Sequence, residues 1–366
     1  MASSASRVPV IDAIKAVACL SIVLHHLAFY GPMSEVARPL MPGLLDWLYH
    51  YGRMAVMGFF VVSGFLTARA FAPDGMALLA RPWPAIRQRY LRLALPFLAA
   101  IMLAIGCAAI ARAWLPHESV PGSPTLPQLL AHVALSNGLL GQESLFAGVW
   151  YVGIDFQLFS VLALLAWISQ AAGRRYPPAR WAGAAAIGAL TLASLFVFNR
   201  NAYWDETALY FFAYYGLGCG AYWLTGRPGG GLLLAGMAAI VAVALIVDFR
   251  ARVLVAAELM LLLGGMRQAG VLESVRVPAV LSRLARISYS VFLVHFPLCL
   301  LVSAAFFHFF PQSVAANAAG MAVAVAVSLA GGALFHRLVE QRTLDPAVRR
   351  GILASVALGA VAVMAR

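Results

Sequence analysis

Four ionisable side chains crowd one apolar stretch, "IDAIKAVACLSIVLHHLAFYGP": Asp12, Lys15, His25 and His26. An ionisable group near the centre of a membrane helix costs about 2.5–3.5 kcal/mol on insertion scales, so each is a functional candidate by default. Imidazole titrates near neutrality and suits proton transfer at physiological pH. Lys15 and His26 are eleven residues apart. That is about three helical turns plus 20°, so both project from one face with an axial separation of about 16 Å. His25 points about 100° away. The bland alternative is a snorkelling lysine and a histidine solvated at the outer interface.

Further polar residues interrupt other apolar runs. "IRQRYLRLALP" carries Arg89 and Arg92, three apart. Their planar guanidinium groups suit phosphate and pyrophosphate, and a topological anchor reads equally well. "GVWYVGIDFQLFS" holds Asp155 and "RISYSVFLVHFPL" holds His295; each is a candidate site residue or a satisfied structural one. Glu258 reads as a hydrogen-bond partner in helix packing. In "GFFVVSGF", Gly58, Ser63 and Gly64 permit close helix approach. No metal-ligand spacing, nucleotide-binding glycine loop or nucleophile elbow occurs. "VVSGF" lacks the glycine two residues before its serine.

The elements that must carry these residues are membrane helices. Of 366 residues 63% are hydrophobic and 11% charged, against about 25% charged in soluble domains. The apolar runs are too long for barrel strands. The reading is an all-α polytopic membrane protein with ten spans. They lie near 10–30, 50–71, 89–111, 148–169, 181–199, 207–224, 230–247, 251–266, 287–307 and 314–336. Residues 351–364 form a shorter apolar run, an eleventh span or a surface helix. The chain divides into a membrane domain over 1–345 and a tail over 346–366. With the N-terminus inside, nineteen basic residues fall on the inner side and seven on the outer, counting Arg7 inside and Arg366 outside. The net charge of +12 is thus spread through short loops, with no block that would point to nucleic acid. Cys19, Cys107, Cys219 and Cys299 all lie in apolar runs and read as small core hydrophobes. The longest outer segment, 112–147, is proline-rich and is either a place to meet substrate or a plain loop.

Taken together, these stretches resemble the acyltransferase-3 family of bacterial membrane O-acyltransferases. "DAIKAVACLSIVLHH" resembles its first helix, in which a basic residue, ten intervening residues and a histidine form the signature; Lys15 and His26 take those places. "FFVVSGF" resembles its second helix and "RYLR", from Arg89 to Arg92, its basic motif. "WYVGIDFQLF" resembles its tryptophan–tyrosine–acid stretch, and "ISYSVFLVHFPL" and "RLVEQR", with Glu340, its last two spans. The departures are Lys15, where arginine is commoner, and Asp155, where glutamate is more usual.

The resemblance implies transfer of an acyl group, usually acetyl, from cytoplasmic acyl-CoA to a hydroxyl on an envelope or exported glycan. His26 would be the general base. Arg89, Arg92 and Lys15 would hold the CoA phosphates, and Asp155 or Asp12 would orient the imidazole or the lysine. His295 would form a second polar wall of the acceptor site. No permanently bound cofactor or metal is implied, only acyl-CoA as donor substrate. The location implied is the bacterial inner membrane, with the N-terminus cytoplasmic. A transporter or flippase of a glycan or lipid-linked intermediate is the rival reading, and a non-catalytic scaffold a third. Acceptor-dependent thioester consumption separates the enzyme from both.

Overall fold

The structure is a computed structural model that describes residues 8–76, 79, 81–343 and 345–365. Arg7 and Arg366, both in the charge balance above, lie outside the described residues. Fourteen α-helices and no strand occur among the described residues. They are α1 (Pro9–Phe29), α2 (Pro32–Ala37), α3 (Pro42–Tyr51), α4 (Val56–Phe71), α5 (Pro82–Trp114), α6 (Leu126–Val133) and α7 (Trp150–Arg175). Then follow α8 (Ala182–Phe196), α9 (Ala208–Trp223), α10 (Gly230–Val247), α11 (Ala251–Gln268), α12 (Ala279–Phe309), α13 (Val314–Leu338) and α14 (Pro346–Met364).

Every expected span is helical. Nine helical stretches among the described residues are long and apolar enough to cross a membrane, including Pro346–Met364. The two expected spans outside that group are α9 and α11. α9 has only 16 residues, and α11 carries Arg252, Glu258 and Arg267. Most of α9 is buried, from Phe211 to Ala221, so it need not match the full hydrocarbon thickness against lipid.

The chain forms two compact units, each discontinuous in sequence. One comprises Val56–Arg89 and Ile154–Arg283 with the described part of the chain up to Ala16; the other comprises Val17–Ala55, Tyr90–Gly153 and the described part of Leu284–Arg366. In the first unit α4 and α9 pack backbone to backbone. A Cβ on Gly64 would lie 2.0 Å from the Tyr215 carbonyl oxygen, and one on Gly218 would lie 2.0 Å from that of Val61. The expectation that "VVSGF" serves close packing holds at Gly64. Glu258 is corrected: it is exposed on α11 and makes no hydrogen bond among the described residues, because its helix turns Val253, Ala256 and Met260 inward instead.

In the second unit α1 and α12 run parallel and in register. The Cys19 thiol donates to the Ser288 carbonyl at 3.5 Å; two turns later on both helices, His26 meets His295. α13 closes on α12 at Gly332, where a Cβ would lie 2.3 Å from Val291 Cγ2. All four cysteines are free and buried, as expected of core hydrophobes.

The proline-rich segment after α5 is irregular and partly exposed up to Thr125, and a short helix then follows. A capping box, Thr125 with Gln128, starts α6, the arrangement that satisfies two orphan donors at a helix start. The segment then returns alongside α5. Arg112 donates to the Pro121 carbonyl at 2.7 Å, His132 stacks on Phe97 at 6.2 Å, and the Tyr90 hydroxyl donates to the Val133 carbonyl at 2.7 Å. Its partners thus step back along α5 from residue 112 to residue 90.

Candidate active site

Four of the six candidate residues resolve into two pairs. In the second unit His26 Nδ1 lies 2.7 Å from His295 Nε2, with near-parallel rings 5.0 Å apart. His295 is fully buried on α12. Its Nδ1 lies 2.8 Å from the Phe292 carbonyl and 3.1 Å from that of Val291. A carbonyl oxygen only accepts, so this nitrogen must carry the hydrogen. His295 Nε2 of the neutral ring is then bare and accepts, which obliges His26 Nδ1 to donate. The lone pair of the neutral His26 ring therefore resides on Nε2. Two backbone carbonyls on α12 thus fix the tautomer of a histidine on α1 through one intervening ring.

The walls around His26 are aromatic. Tyr30 and Phe296 meet its ring edge-on, at 5.4 and 6.0 Å. Gly148 closes another side with φ +91°, a conformation that side chains disfavour. A Cβ there would touch Phe292 at 3.4 Å and His26 Cε1 at 3.6 Å. His25 is built differently. It is buried, and its Nδ1 donates to the Leu48 carbonyl at 2.9 Å. Gly52 lies so close that its own Cβ would come within 2.8 Å of the His25 Cβ. His25 is a packing residue that docks α3 and the turn after it onto α1.

In the first unit Arg89 donates to Asp155 in a short ion pair. The Asp155 side chain is 2% exposed and that of Arg89 24%. The Arg89 guanidinium also lies over the Phe159 ring, 5.1 Å from its centroid. The second carboxylate oxygen, Asp155 Oδ1, is buried and has no hydrogen-bond donor among the described residues. Nearby in the same unit, the Tyr215 hydroxyl donates to Thr67 Oγ1 at 2.8 Å, which donates to the Ser63 carbonyl at 2.7 Å. Asp155 thus carries an arginine, and the imidazole of His26 is held by another imidazole.

Lys15 is partly buried on α1, about 16 Å along the axis from His26 and too far for their side chains to touch. Arg92 is exposed and makes no ion pair among the described residues.

Two arrangements of side chains escaped sequence reasoning. Ser290 donates to Glu340 Oε2 at 2.5 Å, and His336 Nδ1 meets the same oxygen at 2.9 Å. The serine donates to the carboxylate rather than to the imidazole, so the cluster ties α12 to the end of α13 and is no nucleophile triad. The second is His132, whose Nδ1 donates to the Gln128 carbonyl at 2.7 Å while its Nε2 accepts from the Leu145 amide at 3.3 Å. Burial pushes this imidazole below its ordinary pKa, and the Gln128 hydrogen bond opposes that shift. The capping box before it was the readable signal.

A family model described as an acyltransferase domain, acyltransferase-3, matches residues 8–337. The chain belongs to the acyltransferase-3 family. It is a membrane acyltransferase, which sets the enzyme above the rival transporter and scaffold readings. The matched residues include both pairs, Lys15 and Arg92, and stop short of α14. No curated protein and no solved structure matches the chain.

Proposed function

We propose that this acyltransferase moves an acyl group, acetyl in the simplest case, from cytoplasmic acyl-CoA to a hydroxyl of an envelope or exported glycan. It does so in the bacterial inner membrane with its N-terminus in the cytoplasm. The observation that carries the reading is the tautomer chain from the Phe292 carbonyl through His295 to His26, which supports a basic lone pair on His26 Nε2.

A hydroxyl is a poor nucleophile until a base removes its proton in the transition state, and a positioned base supplies about 10²–10⁴ in rate. His26 Nε2 takes the hydroxyl proton as the oxygen attacks the thioester carbonyl. The carbon–sulfur bond breaks, and the imidazolium returns that proton to the departing CoA sulfur. His295 is the positioning residue. Its Nε2 accepts from His26 Nδ1–H, so it holds the ring and stabilises the imidazolium formed midway. Arg92 and Lys15 contribute positive charge toward the CoA phosphates. Arg89 is already committed to Asp155 and serves mainly by fixing that carboxylate, whose remaining acceptor oxygen suits a donor on bound substrate.

The test combines purified protein and whole cells. Protein in detergent should consume acetyl-CoA only when an envelope glycan fraction is added. Mass spectrometry of glycans from a deletion strain should show acetyl groups missing, restored by the wild-type gene and not by His26→Ala. Acceptor movement across the membrane without thioester loss would overturn the reading in favour of transport.

A further inference from the structure

The first unit contains a charged cavity to which no role has been given above. It has a volume of about 310 Å³ and is lined by Phe65, Arg69, Tyr222, Arg267, Leu272 and Glu273. Arg69, Tyr222 and Arg267 lie in the last turns of α4, α9 and α11. Cations at helix C-termini are expected from the macrodipole, and that accounts for basic residues at these positions.

It does not account for how Arg267 is held. Its guanidinium lies over the Tyr222 ring, 4.2 Å from the centroid, and it forms no ion pair among the described residues. Gly226, at φ +75°, makes room for it: a Cβ there would lie 1.8 Å from Arg267 Nη1. The Gly226 amide in turn donates to Gln268 Oε1 at 2.9 Å, and Gln268 Nε2 donates to the Arg227 carbonyl at 3.3 Å. The loop after α9 is thus stitched to the end of α11 around a stacked guanidinium. Across the cavity Arg69 meets Glu273 at only 3.6 Å, and the Glu273 side chain is 59% exposed. An ion pair this exposed contributes little on its own.

The chemistry offered is a flat, cationic stacking surface beside a second guanidinium, in a space of nucleoside size rather than of a whole acyl-CoA. We infer that this cavity binds the phosphorylated adenosine end of the acyl-CoA donor. The adenine stacks on the Arg267–Tyr222 platform, and the ribose 3′-phosphate is met by Arg69 and the free edge of Arg267. Tyr215 and Tyr222 are two turns apart on one face of α9, so the cavity and the Tyr215–Thr67 hydrogen bond lie along the same side of that helix. The inference rests on acyl-CoA being the donor and on the cytoplasmic placement of these helix ends.

Calorimetric titration of purified protein with CoA, adenosine 3′,5′-bisphosphate and pantetheine tests it. Wild type should bind CoA and the bisphosphate competitively. Arg267→Gln and Arg69→Gln should each weaken both about tenfold, leave pantetheine unchanged, and remain monodisperse. Arg267→Lys keeps the charge but loses the planar stack, and should fall between wild type and glutamine. Wild-type CoA binding unaffected by any of these substitutions would overturn the cavity assignment while leaving the donor reading intact. Bisphosphate binding that depends on Arg267, with no acyl-CoA turnover, would remove the donor reading and keep a nucleotide site. If only phosphatidylglycerol vesicles bind in an Arg267-dependent way, the anion is a lipid headgroup and the inference falls.

Discussion

The histidine pair and the ion pair are both partly buried contacts between distant parts of the chain, yet they are built to opposite ends. His26 and His295 are held by neutral hydrogen bonds whose direction is set by backbone carbonyls. A proton can arrive at His26 Nε2 without breaking any of them. Arg89 and Asp155 are charged and pinned to each other, and the guanidinium cannot lose its proton in a protein. On the proposed mechanism one pair changes its protonation and the other keeps it. Polar residues in a membrane helix therefore divide by what their partner allows, and burial alone does not distinguish a base from a strut.

The largest effect expected is on rate. His26→Ala should lower acyl transfer by about 10²–10⁴ with little change in the yield of monodisperse protein. His25→Ala should keep most activity per folded molecule, because that ring's work is its bond to the Leu48 carbonyl. Both are to be compared at equal amounts of detergent-extracted protein. An active His26→Ala enzyme would erase the distinction between the two pairs.

Next comes stability in the ion pair. Asp155→Ala removes the carboxylate from a mostly buried arginine side chain and should cost about 3–5 kcal/mol, measured as loss of thermal stability in detergent. Arg89→Met combined with Asp155→Leu should recover much of it, since neither charge is then left alone. If the double variant is as unstable as the single one, the pair holds the fold in some way other than mutual neutralisation. If it is stable and fully active, Asp155 Oδ1 has no part in binding substrate.

The smallest effect concerns the orientation of the base. His295→Phe keeps a ring in the buried site but removes the acceptor for His26 Nδ1–H. Loss of a hydrogen bond to a group that becomes charged costs about 1.5–3 kcal/mol, so kcat should fall roughly 10- to 100-fold. The acid limb of the pH–rate profile should shift as well, which a merely structural change would not produce. An unchanged profile with reduced kcat would reduce His295 to packing.

The spans and their order follow from length and hydropathy alone, because a span must satisfy its backbone internally and fill some 30 Å of hydrocarbon with apolar side chains. The separation of His25 from His26 also follows locally, since the 3.6-residue period places them on different faces. Close packing at Gly64 could be read for the same reason: a small residue in a span is what lets two backbones touch.

Pairing could not be read. His26 and His295 are 269 residues apart, and Arg89 and Asp155 are 66 apart. Periodicity along one helix says nothing about which helix lies beside it. Sequence assigned Asp155 to an imidazole or a lysine and Arg89 to phosphate; packing gave them to each other. The proline-rich composition after α5 marks irregular chain over 115–125, but it gives no sign that His132 and Val133 lie against α5. Residue type and period fix which side chains can do chemistry and on which face they stand. The partner that sets a tautomer or cancels a charge comes from helices meeting across hundreds of residues, and hydropathy carries no record of that.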